Sequence, residues 1–541
     1  MTIDIIETTP FLDQKPGTSG LRKKVSTFQQ KHYTENFIQS IFNCLENIKN
    51  AEFVLGGDGR FYNAEVIQII LKIAAANGVK KIFVGQNGLL STPAASHFIR
   101  KYGIYGGIIL SASHNPGGKD GDFGIKYNMS NGSAASESLT EKFYEETQRI
   151  AYYKCAKTPE IDLQKLGETH ILDMEIEIID PIKDYADLME EIFDFPLIRE
   201  RRVQGLEFCF DAMHAVTGPY ALEIFSKRLG FPKENIFHST PLLDFGGRHP
   251  DPNPYHASQF YTKMMRGDAP DLGVASDGDG DRNFILGRKQ AVSPSDSLAV
   301  ILDYAHHIPY YKDKIFGVAR SMPTSSAVDF VAKAKGIKYY ETPTGWKFFG
   351  NLLDAQKISF CGEESYGTSS YHVREKDGIW AALFWLNLLA LTRKSVKEIL
   401  EEHWKKFGRV YYSRHDYEEV ESDKASALII HLRENLEKLP GRCICNMRVV
   451  QADDFSYHDP IEDKITKQQG IRIFFEGGKR LIFRLSGTGT KGATLRLYLE
   501  SYLEKDIHKD IEEVLKPLID AAQTLAQIKE YLQRSKPDVI V

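Results

Sequence analysis

The segment LGVASDGDGDR, residues 272–282, joins a short apolar run to a loop in which acidic residues alternate with glycines. A short apolar run bounded by turn residues is typical of a buried strand. Nine such runs precede residue 365, and each leads into a loop rich in polar residues or glycine. They fall into three sets: FVL (53–55), IFV (82–84) and GIIL (107–110); FCF (208–210), IF (236–237) and LGVA (272–275); IFGV (315–318), IKYY (337–340) and ISF (358–360).

The three sets resemble one another. A Thr-Pro pair follows the second run of each set, at Thr92-Pro93, Thr240-Pro241 and Thr342-Pro343, and residues 64–76 between the first two runs have helical periodicity. An ordinary α/β chain also contains strands of this kind, but the repeated Thr-Pro pairs favour a threefold repeat of open α/β units with parallel strands. Because ligands bind beyond the carboxyl ends of such strands, we expect the loops at 111–118, 276–282 and 361–367 to share a cleft.

The chain after residue 408 has a different pattern. Alternating apolar residues predict strands at 410–412, 447–451, 471–475, 480–484 and 494–500. Helices are predicted at 426–436 and 510–534, the second broken or kinked near Pro517, because proline lacks the amide donor of a helix interior. This pattern indicates an α+β domain with antiparallel pairing.

Composition narrows the class of protein. The 541 residues suggest three or four domains, and the net charge of −5 argues against broad electrostatic binding of nucleic acid. No apolar run approaches the ~20 residues of a membrane span, and the amino terminus lacks the features of a signal peptide. Six dispersed cysteines fit neither a disulfide scaffold nor a zinc site. We therefore expect a cytoplasmic protein without a membrane span.

The acidic loop, residues 277–282, is a candidate metal site. Its carboxylates converge only if the intervening glycines let the backbone curl, and oxygen ligands suit Mg²⁺ or Ca²⁺. An EF-hand is excluded because Arg282 and Arg288 stand where its glycine and its last glutamate are required. The alternative is a solvated acidic turn.

The serine loop, residues 111–118, contains a candidate nucleophile. Ser113 is adjacent to His114 in a Pro/Gly-rich loop after a buried strand, and Lys126 follows shortly afterwards. There is no GxSxG motif, so acyl transfer is not indicated. From spacing alone, a plain turn remains equally possible.

The phosphate cradle, residues 484–492 (RLSGTGTKG), offers glycine amides, hydroxyls and a guanidinium. It matches GxGxxG formally, but a strand pattern follows where a dinucleotide site requires a helix, and the lysine and hydroxyl of a Walker A loop are missing. A phosphomonoester site with Arg496 fits better. The Gly turns at 344–347 and 362–367 suit hydrogen bonding to a polyol. Together these features indicate phosphoryl transfer on a phosphorylated sugar.

Five motifs in this order resemble the α-D-phosphohexomutases over nearly the whole chain: DQKPGTSGLR (13–22), ASHNPGG (112–118), DGDGDR (277–282), GEESYG (362–367) and RLSGTGT (484–490). The resemblance implies a heart-shaped protein with three similar mixed α/β domains, 1–185, 186–300 and 301–405, and a C-terminal α+β domain, 406–541. The GEESYG loop favours glucose over mannose.

The resemblance also implies roles for individual residues. Ser113 would carry a phosphoryl group, and Mg²⁺ would bind the phosphoserine with Asp277, Asp279 and Asp281. Charge on the transferring group would be neutralised by Arg22, His114 and Arg282, and protons would be moved by Lys126 and Lys376.

The substrates implied are sugar phosphates, with glucose 1,6-bisphosphate as intermediate and activator. Glu363 and Ser365 would hold sugar hydroxyls, and the remaining substrate-binding residues would be Thr344, Gly345, Arg484, Ser486, Gly487, Thr488, Thr490 and Arg496. The alternatives are a phosphomannomutase or another phosphohexomutase, or a non-catalytic member with a scaffold role.

Overall fold

A computed structural model describes residues 2–17, 19–487 and 492–541. The chain forms two compact units. The first contains Met1–Pro294, Tyr304–Phe316 and Gly345–Val396, and the second contains Ser295–Asp303, Gly317–Thr344 and Lys397–Val541.

The first unit begins with a seven-stranded sheet. Its order is Leu21–Lys24, Asp122–Met129, Gly106–Leu110, Glu52–Gly57, Lys81–Leu89, Met174–Ile179 and Gly167–Ile171. The four strands from Gly106–Leu110 to Met174–Ile179 are parallel, and the outer ones are antiparallel. The associated helices are Val25–Phe28, Tyr33–Cys44, Asn63–Ala76, Thr92–Tyr102 and Glu137–Thr147, with a 3₁₀ turn at Ile48–Asn50; Ile3–Glu7 pairs with Tyr152–Ala156.

A second sheet in the same unit has five strands. Its order is Ile236–Phe237, Phe208–Asp211, Leu272–Ala275, Phe284–Gly287 and Gln290–Ala291. The first three are parallel and the last two antiparallel. The helices are Lys183–Ile192, Phe195–Val203, Thr217–Ala221 and Ser258–Met264, with a π-helix at Leu222–Arg228 and a 3₁₀ turn at Lys233–Asn235.

The first unit also contains an antiparallel hairpin, Phe360–Glu363 with Gly367–Ser370. Beside it in sequence are the helices Trp346–Asp354 and Gly378–Thr392 and the 3₁₀ turns Ala305–His307 and Pro309–Tyr311. The helix Gly378–Thr392 is buried from Gly378 to Ala390, and Asp377 caps its first turn. Among the described residues, no helix has the length and apolarity that crossing a membrane requires.

The second unit contains a parallel pair, Gly317–Ser321 with Lys338–Thr342, and an antiparallel seven-stranded sheet. The sheet order is Cys443–Ile444, Met447–Asp454, Ile471–Phe475, Lys479–Gly487, Ala493–Leu503, Arg409–Val420 and Val539–Ile540. The helices are Pro294–Tyr304, Ala327–Lys335, Val396–Phe407, Ser422–Asn435, Ile511–Ala526 and Ile528–Leu532, with a 3₁₀ turn at Leu436–Lys438 and a small hairpin of Tyr457–Asp459 with Lys464–Thr466.

Local sequence explains where the helix Thr92–Tyr102 begins and ends. Ser91 caps the helix Thr92–Tyr102 by accepting a hydrogen bond from the Ala94 amide at 3.3 Å, and Pro93 occupies the first turn. Gly103 ends the helix in a left-handed conformation (φ 61°). The first Thr-Pro pair therefore marks a helix start.

The structure adds one feature to the expected parallel strands and corrects one expectation. An antiparallel strand follows each of the three polar loops, Asp122–Met129, Phe284–Gly287 and Gly367–Ser370, as fits the expected mixed α/β domains. The glycines in these loops allow the chain to reverse. The C-terminal helix continues through Pro517 and breaks at Gln527, whose φ of 46° is left-handed.

Candidate active site

Ser113 lies in the serine loop, directly after the strand Gly106–Leu110. Its backbone is left-handed (φ 52°), and its side chain is buried. The hydroxyl donates to Asp277 Oδ2 at 2.9 Å and lies 3.3 Å from His114 Nδ1. The structure thus brings together the predicted nucleophile and the predicted metal loop.

A buried ion pair fixes the backbone of Ser113. Arg60 pairs with Asp58 and donates from Nη2 to the Ser113 carbonyl and from Nη1 to the Asp122 carbonyl, both at 2.8 Å. Ser111 Oγ donates to Asp58 at 2.6 Å and accepts from the Ser113 amide at 2.7 Å. Sequence reasoning assigned no role to Arg60 or Asp58, although the loop GGDGR after the first strand was the available signal.

Three buried carboxylates, Asp277, Asp279 and Asp281, each place an oxygen within 4.8 Å of the others. Asp277 Oδ1 accepts the amides of Asp281 and Arg282 at 3.0 Å. Within the described part of the chain, Oδ1 of Asp279 and Oδ1 of Asp281 are buried without a hydrogen-bond partner. Burial raises the pKa of Asp277, and repulsion from Asp281 and Asp279 raises it further. An all-oxygen donor set with unsatisfied lone pairs fits Mg²⁺.

Lys126 lies beside this cluster on the strand Asp122–Met129. Its Nζ is 3.2 Å from Thr92 Oγ1, 3.5 Å from Asp279 Oδ2 and 4.0 Å from Glu375 Oε1. Burial alone would lower the pKa of Lys126, but Glu375 and Asp279 outweigh it and raise the pKa. Lys126 therefore remains protonated while these carboxylates are ionised.

Three further cationic side chains surround the acidic loop. Lys376 Nζ lies 3.4 Å from Asp281 Oδ2. Arg22, on the strand Leu21–Lys24, has a buried Nε without a hydrogen-bond partner among the described residues, and burial lowers its pKa. Arg282 donates from Nη1 to Asp251 at 3.2 Å, a contact that sequence reasoning missed because Asp251 is distant in the chain.

The predicted sugar-binding loop contacts the acidic loop directly. Glu363 ends the strand Phe360–Glu363, and its Oε1 accepts the Gly345 amide at 2.9 Å. Burial raises the pKa of Glu363, although Lys376 opposes this shift. Arg282 forms a β-bridge with Gly367. Ser365 lies in the turn between Glu363 and Gly367.

The second unit holds the residues of the phosphate cradle. Arg484 and Arg496 are directly opposite on neighbouring antiparallel strands, an arrangement of like charges that favours a bound anion. Ser486 Oγ donates to the Thr494 carbonyl at 3.3 Å, Gly487 ends its strand, and Thr344 Oγ1 is buried without a hydrogen-bond partner in the described residues. Thr488 and Thr490 lie outside the described residues.

Family models match almost the whole chain. Three are the phosphoglucomutase/phosphomannomutase alpha/beta/alpha domains: domain I at residues 13–154, domain II at 183–290 and domain III at 293–407. The fourth is the phosphoglucomutase-1 C-terminal domain, at 409–538. The chain belongs to the phosphoglucomutase/phosphomannomutase family. The resemblance and the predicted architecture of three α/β domains and a distinct C-terminal domain are thereby confirmed.

Members of this family are similar to the chain over its full length. The phosphoglucomutase of Rhizobium radiobacter is 56% identical over 99% of the chain and 100% of that protein. The phosphoglucomutase of Schizosaccharomyces pombe is 49% identical over 99% of the chain and 100% of that protein. The open form of parafusin, a phosphoglucomutase from Paramecium, superposes with a TM-score of 0.92 at 44% identity, covering 100% of the chain and 99% of that structure.

Proposed function

We propose that this family member interconverts α-D-glucose 1-phosphate and glucose 6-phosphate. The observation that carries the proposal is the buried Ser113 hydroxyl, 2.9 Å from Asp277 in a cluster of three carboxylates. Full-length relatives named phosphoglucomutase support the choice of sugar.

In the proposed reaction, Ser113 Oγ carries the phosphoryl group. The C6 hydroxyl oxygen of glucose 1-phosphate forms the new bond to phosphorus as the bond to Ser113 Oγ breaks, which gives glucose 1,6-bisphosphate. The ammonium of Lys126 or Lys376 donates a proton to Ser113 Oγ and regains one from the sugar hydroxyl, so the hydroxyl proton ends on Ser113. The intermediate then turns over, its 1-phosphoryl group returns to Ser113 Oγ, and glucose 6-phosphate leaves.

Cationic and oxygen ligands support this transfer. Asp277, Asp279 and Asp281, with an oxygen of the phosphorylated serine, would hold Mg²⁺, and the bound ion would supply positive charge next to the phosphoryl group. Charge on the phosphoryl oxygens is further neutralised by Arg22, His114 and Arg282.

We assign the remaining predicted residues to the substrate. Glu363 and Ser365 bind sugar hydroxyls, and Thr344 and Gly345 also bind the substrate. The non-reacting phosphate is bound by Arg484, Ser486, Gly487, Thr488, Thr490 and Arg496. Domain boundaries at 1–185, 186–300, 301–405 and 406–541, and a cytoplasmic location, belong to the same proposal. Similar proteins include a cytoplasmic phosphoglucomutase of Pisum sativum and a chloroplastic one of Arabidopsis thaliana.

The test is conversion of glucose 1-phosphate with Mg²⁺ and a trace of glucose 1,6-bisphosphate. We expect glucose 6-phosphate from the wild type and from Ser130→Ala, an exposed serine in the same domain, but not from Ser113→Ala. Intact mass should fall by one phosphoryl group after phosphatase treatment of the wild type. Full activity of Ser113→Ala refutes the proposal, and faster turnover of mannose or glucosamine 1-phosphate identifies another hexose specificity.

A further inference from the structure

A buried chain of hydrogen bonds ends on Asp377, the residue after Lys376. Its links are Trp380 Nε1 to Tyr311 Oη (2.7 Å), Tyr311 Oη to Ser370 Oγ (2.8 Å), Ser370 Oγ to His372 Nδ1 (2.7 Å) and His372 Nε2 to Asp377 Oδ2 (2.9 Å). Asp377 Oδ1 also accepts from the Tyr185 hydroxyl and from the Trp380 amide (3.0 Å). We name this set of six residues the Asp377 relay.

Donor chemistry fixes the direction of every bond in the relay. The Asp377 carboxylate can only accept, so His372 Nε2–H donates to it, and Nδ1 of the neutral ring must accept from Ser370. The Ser370 oxygen then accepts from the Tyr311 hydroxyl, and the Trp380 indole N–H donates to Tyr311 Oη. Burial lowers the pKa of His372, although Asp377 opposes this shift, and a neutral imidazole with one N–H is the state that the relay requires.

The relay resembles a hydrolytic Ser-His-Asp triad only in composition. Ser370, His372 and Asp377 are all buried, and the Ser370 hydroxyl both accepts from Tyr311 and donates to His372. No substrate carbonyl can approach Ser370 Oγ in this arrangement. The relay is therefore suited to holding a backbone segment in place.

The segment it holds is the one that bears Lys376. The Asp377 amide donates to the Thr368 carbonyl at 3.0 Å, and Glu375 Oε1 accepts from Asn128 at 2.9 Å. Lys376 thus stands in sequence between Glu375 and Asp377, whose carboxylates are both held by hydrogen bonds. Its own Nζ lies 3.4 Å from Asp281 Oδ2. Its side chain also lies against Gly367, where an added Cβ would approach Lys376 Cδ to 2.2 Å.

We propose that the Asp377 relay is a positioning device that aims the Lys376 ammonium at the acidic loop, with Tyr185, Ser370 and His372 as positioning residues that touch no substrate. The proposal rests on the proposed function, because it assigns Lys376 to proton movement at that site. The helix Lys183–Ile192 contributes to this positioning, because Tyr185 donates to Asp377, nearly two hundred residues away in sequence.

Tyr185→Phe removes a donor to Asp377 at one end of the relay, and Ser370→Ala breaks the relay in its middle. Tyr417→Phe is the matched control, because Tyr417 is equally buried and its hydroxyl accepts from Gln523 in the C-terminal domain. We expect each relay variant to lower kcat about tenfold, with KM for glucose 1-phosphate within about twofold of wild type, since misplacement of a reacting group reduces turnover more than binding. The control should keep both constants.

A second readout separates positioning from activity. Hydrogen exchange at the Asp377 and Gly378 amides should be faster in both relay variants than in the control. If one relay variant does not fold, the kcat and the amide exchange of the other relay variant test the proposal. Unchanged kcat in a folded relay variant, or unchanged exchange at these amides, overturns the proposal. If the wild type does not convert glucose 1-phosphate, the proposed function fails on its own, and the exchange measurement still decides whether the relay holds this segment.

Discussion

Replacing Gly278 by alanine tests how closely the acidic loop packs on the serine loop. An added Cβ at Gly278 would lie 2.3 Å from the Ser113 carbonyl oxygen and 3.4 Å from Arg60 Nη2. Ordinary van der Waals contact begins near 3.4 Å. The two atoms closer than this are the Ser113 carbonyl oxygen and, at 3.3 Å, its carbon; both are backbone, so the two loops must separate by about 1 Å before alanine fits.

This displacement has two expected consequences. Overpacking should reduce the free energy of unfolding by about 1–3 kcal/mol. Because Ser113 Oγ and Asp277 Oδ2 are held on these two loops, a 1 Å separation should lower kcat by about 100-fold. Substrate binding through other residues is unaffected, so the change in KM should be small.

The assay is glucose 1-phosphate turnover together with urea unfolding. Gly267→Ala is the matched control, because its added Cβ would contact only the end of the Lys289 side chain, at 3.6 Å. It should keep wild-type kcat and stability. A folded Gly278→Ala protein whose kcat stays within about threefold of the control would refute close packing of the two loops.

Three other perturbations have definite expected outcomes. Arg60→Met leaves Asp58 buried without its cation and should cost about 3–5 kcal/mol in urea unfolding, whereas adding Asp58→Asn to this variant should restore part of the loss; equal stability of the single and double variants contradicts the pairing. Burial, and then repulsion from Asp281 and Asp279, raise the pKa of Asp277, so Asp277→Asn removes a buried charge and its repulsion; in EDTA this variant should have a higher Tm than wild type, while its activity in Mg²⁺ is lost, and a lower Tm in EDTA contradicts this reasoning. The hydrogen bond to Asp211 raises the pKa of His238 above 6.5, so the pair stabilises the fold fully below the unfolded pKa and the stabilisation disappears as pH rises through the folded pKa; His238→Gln should lose stability at pH 5.5 but not at pH 8.5, and an NMR pKa below 6.5 contradicts this.

Sequence patterns predicted the elements whose information is local. Runs such as 53–55 and 272–275 became the strands Glu52–Gly57 and Leu272–Ala275, and the acidic loop formed the expected carboxylate cluster. The helix is unbroken at Pro517 because one missing amide donor does not end a helix whose apolar face is buried, as Leu515 and Leu518 are.

Contacts between distant segments were beyond sequence reasoning. Asp251 reaches Arg282, and Glu375 reaches Lys126, only after separate strands and loops have packed together. No periodicity or spacing encodes such pairs, because either partner alone reads as an ordinary charged residue. The partners Arg282 and Lys126 could be predicted as site residues because Arg282 ends the DGDGDR motif and Lys126 closely follows the serine loop.

The conformation of Ser113 shows why these unsuspected residues matter. A left-handed backbone is unfavourable for serine by about 1–3 kcal/mol and persists only where the surroundings determine it fully. Here the amide is held by Ser111, the carbonyl by Arg60 and the hydroxyl by Asp277. Two of these three restraints converge on Asp58, because it binds both Ser111 and Arg60. A residue that never meets the substrate therefore governs how the nucleophile is presented.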